Sequence, residues 1–142
     1  MSTNEHSLLV ITAHPDDESI LCGGLLASCS AHGVTVSLLC LTQGEHGQGT
    51  GDIAACRQAE LKAASNILGI SSTTVLTHED GMLPWIDPAI ICAEINKALD
   101  HHCPDVVITF DEDGMYGHPD HIGGAASVIE THGALRVSKR PW

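Results

Sequence analysis

Aromatic side chains are scarce in this chain, at 3% of 142 residues. Core volume must therefore come mainly from Leu, Ile, Val and Ala. Basic residues are scarce too: 6 Lys and Arg face 18 Asp and Glu, for a formal charge of −12. A field of that sign repels polyanions, so nucleic acid and anionic membrane are not expected partners. Arg136, Lys139 and Arg140 account for half of the basic residues and crowd into the last seven positions, so the stretch 132–142 differs in character from all that precedes it. Long apolar runs are missing as well. The opening "MSTNEHS" is polar and the run after it, "LLVIT", is too short for a signal-peptide core or a membrane span. A cytoplasmic location is the resulting expectation, with the six cysteines (22, 29, 40, 56, 92 and 103) kept as thiols. No C-x-x-C pair occurs, and most of these cysteines lie among Ala, Leu and Ile, which reads as small buried hydrophobes rather than metal or redox groups.

The length suits one domain and the hydrophobic content of 43% suits a globular one. Short β-branched runs at 8–12, 34–41, 73–77 and 105–110 predict strands. Helix-like stretches lie between and after them, at 17–31, 53–68, 88–101 and 120–131. The second carries Ile53, Cys56, Ala59, Leu61, Ala64, Ile67 and Leu68 at threes and fours and stops at Gly69. Strands alternating with helices predict parallel pairing through right-handed crossovers, hence an α/β Rossmann-like three-layer sandwich with a mostly parallel sheet. Ligands of such sheets bind beyond the carboxyl ends of the strands. The unusual polar residues sit there: "HPDDE" after the first strand, Gly44 to Asp52 after the second, Asp80 after the third, and Asp111 to His121 after the fourth.

These segments carry metal-ligand chemistry. His14 and Asp17 are three apart at a helix start, as are His118 and His121 in "GHPDH". That spacing puts two side chains on one face of a turn. Two imidazoles and a carboxylate make a three-ligand site with open positions, as in catalytic zinc and some non-haem iron centres. Asp16, beside a ligand, is free to take a proton from a metal-bound water. Glu18 is expected only to favour the helix start through the helix dipole. His6, His32, His46, His78, His101, His102 and His132 lack such a setting and read as surface or packing residues.

"AHPDDE" after an apolar strand, with "MYGHPDH" about a hundred residues on, resembles the PIG-L/LmbE-like family of zinc-dependent N-acetylglucosaminyl deacetylases. "TQGEHG", "RQAELKAASNILGI" and the "DG" at 80 and 81 fit the same pattern, over roughly residues 7 to 131. The resemblance implies zinc, or ferrous iron, on His14, Asp17 and His121, with Asp16 as general base. It implies His118 as the group that stabilises the oxyanion or protonates the leaving amine, Asp120 as its orienting partner, and Tyr116 as a group polarising the amide carbonyl. Arg57 and Asp80 would contact the sugar of a small amino-sugar substrate. Members of this family usually continue well past "HPDH", so a single truncated or minimal domain is expected here, with a sheet edge that invites self-association. Two other readings stand beside this one: a non-catalytic metal-binding module or inactive fragment of the fold, and a nucleotide-binding Rossmann domain using the glycines of "GEHGQGTGD". Against the latter, no G-x-G-x-x-G joins strand to helix and no Lys is near to meet phosphate.

Overall fold

A computed structural model describes residues 6–132, so the atypical tail lies, from residue 133 on, outside the described residues. The four expected strands form as β1 (Ser7–Thr12), β2 (Thr35–Thr42), β3 (Ser72–His78) and β4 (Val106–Ile108). They pair in the order β3-β2-β1-β4, every pair parallel. The helices α1 (Asp17–Ala31), α2 (Ile53–Leu68), α3 (Pro88–His102) and α5 (Pro119–His132) connect or follow them, with a short kinked turn α4 (Gly114–Gly117) before α5.

Alternation along the strands feeds two cores. Leu9, Ile11, Leu39 and Leu41 point to the face covered by α3 and α5, where they meet Ile91, Ile95, Ala125 and Val128. Leu8, Val10, Val36, Leu38 and Cys40 point to the opposite face and meet Leu26 and Leu61 of α1 and α2. Each central strand is thus apolar on both sides, which is why its sequence reads as a continuous hydrophobic run. Two helix ends follow simple chemistry. The Asp52 side chain accepts from the Ala55 amide at 3.0 Å to start α2. Gly69 ends that helix at φ 73, where a Cβ would lie 2.1 Å from Ser30 Oγ.

Two details differ from expectation. The fourth strand stops at Ile108 rather than 110, because Thr109 spends its hydroxyl on the Ile11 carbonyl and Phe110 turns in to stack on a histidine. Of the cysteines, Cys40 is buried as expected, but Cys56 and Cys103 are exposed. No helix among the described residues is long and apolar enough to cross a membrane.

Because β1 lies between β2 and β4, the strand order reverses between β1 and β4. A crevice at the carboxyl ends of those two strands is the expected ligand position. It is flanked by the segments that hold "HPDDE" and "GHPDH".

Candidate metal and catalytic site

The loop after β1 enters α1 through a strained residue. Asp16 sits at φ 122, ψ −27, a conformation that side-chain-bearing residues rarely adopt and that costs about 1–3 kcal/mol. Its surroundings over-determine it. The buried Glu18 takes the Asp16 amide on Oε2 at 3.0 Å, and the amides of Ser19 and Ile20 close on the Asp16 carbonyl. Arg57, reaching across from α2, donates through Nη2 to the Pro15 carbonyl at 2.6 Å and to Asp16 Oδ2 at 2.8 Å, and through Nη1 to the Gly44 carbonyl at 3.1 Å. Glycine at 44 and 47 makes room for that guanidinium: a Cβ would lie 2.5 and 2.8 Å, respectively, from Arg57 Nη1. These glycines therefore cradle a cation, which accounts for them without phosphate. A helix-dipole role does not require the 1% exposure of Glu18; holding the strained Asp16 amide does.

The loop after β4 enters α5 through His118, which acts as the helix cap. Its carbonyl accepts from the Ile122 amide, Pro119 follows, and its Nδ1 lies 3.2 Å from the Asp120 amide. One turn on, the His121 ring is fully buried, stacked on Phe110 with centroids 3.9 Å apart and beside His118 at 4.7 Å. Gly114 supports it from α4: its carbonyl lies 3.3 Å from His121 Nδ1, and a Cβ there would lie 3.0 Å from that of His121. Tyr116 stands at the rim, 71% exposed, edge-on to His121 with centroids 5.2 Å apart.

Hydrogen-bond partners decide which ring nitrogens are free. A carbonyl only accepts, so His121 donates through Nδ1–H to Gly114, and its Nε2 carries a lone pair. An amide only donates, so His118 accepts on Nδ1 and presents Nε2–H. A carboxylate only accepts, so His14 donates through Nε2–H to Asp120 Oδ2 at 2.9 Å, with Asp80 Oδ1 at 3.1 Å beyond. The other nitrogen of His14, Nδ1, faces Asp17 Oδ2 at 3.6 Å. Asp17 is held by the His14 amide at 2.8 Å and turns its second oxygen to His121 Nε2, 3.3 Å away. That Nε2 is buried and has no hydrogen-bond partner. A lone pair facing a carboxylate oxygen in a dry site is repulsive unless a cation lies between them. His14, Asp17 and His121 therefore suit a cation by geometry. His118 also comes within reach, its ligand nitrogen lying within 4.8 Å of those of His14 and His121, but its donor hydrogen points it to another task.

Charge states agree with this geometry. Burial raises Asp17 and Asp120, yet hydrogen bonds and the neighbouring histidines outweigh it and hold both low. Burial keeps His121 below the ordinary histidine range despite Asp17. For Asp16, burial raises the pKa and the Arg57 charge opposes the rise. Burial would also lower His14, but hydrogen bonds to Asp120 and Asp17, with the charges of Asp17 and Asp80, raise it to about 10. In the absence of metal a proton thus takes the place of the cation. That proton contributes stability fully below about pH 6.5 and loses it as pH rises through about 10. A metal held there would have to displace it, so binding of a divalent ion near neutral pH should release about one proton, and affinity should climb about tenfold per pH unit until His14 is neutral. Titration calorimetry in buffers of different ionisation enthalpy measures this, and a buffer-independent heat would contradict it.

The nine residues singled out from the sequence all lie at this rim or its rear wall. The exposed Tyr116 meets it only edge-on. Arg57 faces inward onto Asp16 rather than outward, and Asp120 meets His118 through its backbone amide while its carboxylate goes to His14. A cavity of about 260 Å³ opens beside Asp17, between α1 and the β1–β4 end, walled by Leu21, Ile108 and Met115 among others.

Comparison with known proteins identifies the family. The PIG-L family profile, described as GlcNAc-PI de-N-acetylase, matches residues 9–132. A probable N-acetyl-alpha-D-glucosaminyl L-malate deacetylase 2 of Bacillus anthracis is 33% identical over 97% of this chain and 64% of its own length. A 1D-myo-inositol 2-acetamido-2-deoxy-alpha-D-glucopyranoside deacetylase of Mycobacteroides abscessus is 36% identical over 95% of this chain and 56% of its own. Among solved structures, the N,N'-diacetylchitobiose deacetylase from Pyrococcus horikoshii superposes with a TM-score of 0.82 at 30% identity, covering 90% of this chain and 49% of that one. The chain thus spans about half to two thirds of the relatives it matches.

Proposed function

The chain belongs to the PIG-L family of LmbE-like N-acetylglucosaminyl deacetylases, and from that premise we propose that it hydrolyses the acetamide of an N-acetylglucosaminyl conjugate, releasing acetate and a free amine. The observation that carries the reading is the buried, unpartnered Nε2 of His121 facing the Asp17 carboxylate. His14 Nδ1, Asp17 and His121 Nε2 would hold zinc. A divalent ion on these groups would polarise the acetamide carbonyl and acidify a water.

The chain's own residues supply the rest. Asp16, whose carboxylate is the exposed member of the acidic group and is aimed by Arg57, takes the proton of the attacking water. Glu18 and Arg57 keep that base in place at the expense of a strained backbone. His118 offers Nε2–H to the oxygen where charge develops or, when protonated, to the departing nitrogen. Tyr116, at the rim, would meet the carbonyl oxygen from the solvent side. As the C–O bond forms and the amide C–N bond breaks, the water proton ends on the amine. Three of the five N–H donors of Arg57 go to the Pro15 and Gly44 carbonyls and to Asp16, and its side chain, 19% exposed, keeps the others for a sugar hydroxyl.

Acetate release from zinc-loaded protein tests the proposal, with N-acetylglucosaminyl malate, N-acetylglucosaminyl inositol and diacetylchitobiose as substrates. Release from at least one is expected. Zinc bound with no release from any would leave a metal-binding module.

A further inference from the structure

We propose that Asp120 and Asp80 are positioning residues for His14: Asp120 takes its Nε2–H, Asp80 sets a second carboxylate oxygen beside that nitrogen, and Nδ1 is left as the nitrogen turned to the metal. This rests on the reading of His14 as a ligand, and it gives both aspartates a task other than the one the family resemblance implies, His118 for Asp120 and the sugar for Asp80.

The pair is built into the fold. Asp120 is fully buried at the start of α5. Its Oδ1 accepts from the Leu83 amide at 3.0 Å, and its Oδ2 accepts from the Gly81 amide at 2.7 Å and from His14 at 2.9 Å. Asp80, 9% exposed, turns Oδ1 to His14 at 3.1 Å and takes the His46 amide on Oδ2 at 3.1 Å, while its own amide is held by Glu45 Oε1 at 2.8 Å. Segments after β1, β2, β3 and β4 thus meet on one imidazole edge. A ligating histidine whose second nitrogen donates to a carboxylate is fixed in tautomer and ring orientation and is a stronger base toward the metal. His14, Asp80 and Asp120 lie close enough to suggest a second ion. Each of their four carboxylate oxygens, however, already faces an N–H of the protein. The geometry is that of an orienting pair.

Zinc alone is the probe, added to the whole chain. Competition with a chelating dye should show Asp120→Asn binding zinc about 10–100-fold more weakly than the parent, with Asp80→Asn weaker by a smaller factor. The double variant should lose less than the product of the two, since both act on one ring. Imidazole 15N spectra of the zinc-loaded parent should place the remaining proton of His14 on Nε2, and Asp120→Asn should shift that resonance while the His121 pattern stays. Asp80→Asn, which keeps the Asp120 anchor, covers the case in which Asp120→Asn does not fold. A folded Asp120→Asn protein with affinity within twofold of the parent, or His14 protonated on Nδ1, overturns the proposal. So does a second zinc ion per chain that disappears in Asp80→Asn. Zinc that is lost in His121→Ala but unchanged in both aspartate variants sinks the positioning role alone; a parent that binds no zinc sinks the metal site with it.

Discussion

His121→Ala should strip the chain of zinc, weakening affinity by more than the about 10–100-fold that outer partners contribute, whereas His118→Ala should keep its metal. The two rings look equivalent in composition and lie nearly parallel, 4.7 Å apart. Their difference is one of hydrogen bonding. His121 gives its hydrogen to the Gly114 carbonyl and is left with a lone pair in a dry site opposite Asp17; His118 gives its lone pair to the Asp120 amide and keeps a hydrogen. Only the first is ready to ligate. Metal content after dialysis against a weak chelator decides the matter, with near-ultraviolet circular dichroism as a check on folding, because removing a ring stacked on Phe110 also opens a void. Equal loss of zinc in both variants would make His118 a ligand and overturn the division of roles. Loss in neither would remove the metal site from this rim.

Much of that rim could be read from residue order alone, and what could not be read has a common physical cause. The two cores were legible because Leu8 to Ile11 and Leu38 to Leu41 are apolar on both strand faces, as the strands of a parallel sheet covered on both sides must be. Convergence of "HPDDE" with "GHPDH" followed from the topology, since β1 and β4 are neighbours. Side-chain direction did not follow. Arg57 is a residue that the family resemblance assigns to the sugar, yet Gly44 and Gly47 open a slot that draws it onto Asp16. The carboxylate of Asp120 could have served either histidine, and only the buried amides of Gly81 and Leu83 turn it toward His14. Glu18 looked like one more acidic residue in a first helical turn; its burial under the strained Asp16 amide depends on a φ value that no residue pattern encodes. Phe110, the chain's one phenylalanine, gave a compositional hint, because a lone aromatic at the end of a strand beside the candidate ligands is well placed to wall one of them.

Asp16→Asn separates chemistry from metal binding. Asparagine keeps the size of the side chain and an oxygen for Arg57, and it tolerates positive φ better than most residues, so the loop should hold its shape. What is lost is the only group in the cluster placed to accept a proton without also serving the metal or a buried amide. General-base removal costs about 10²–10⁴-fold in rate, equivalent to about 3–5.5 kcal/mol of barrier. The expected result is therefore a fall of that size in kcat, with KM and zinc content close to those of the parent. Asp17→Asn, by contrast, should lose zinc and activity together, since Asp17 faces both His14 and His121. Rate assays paired with metal analysis on the same preparations read both outcomes. An Asp16→Asn enzyme that keeps more than a tenth of the parent kcat would remove Asp16 as the base.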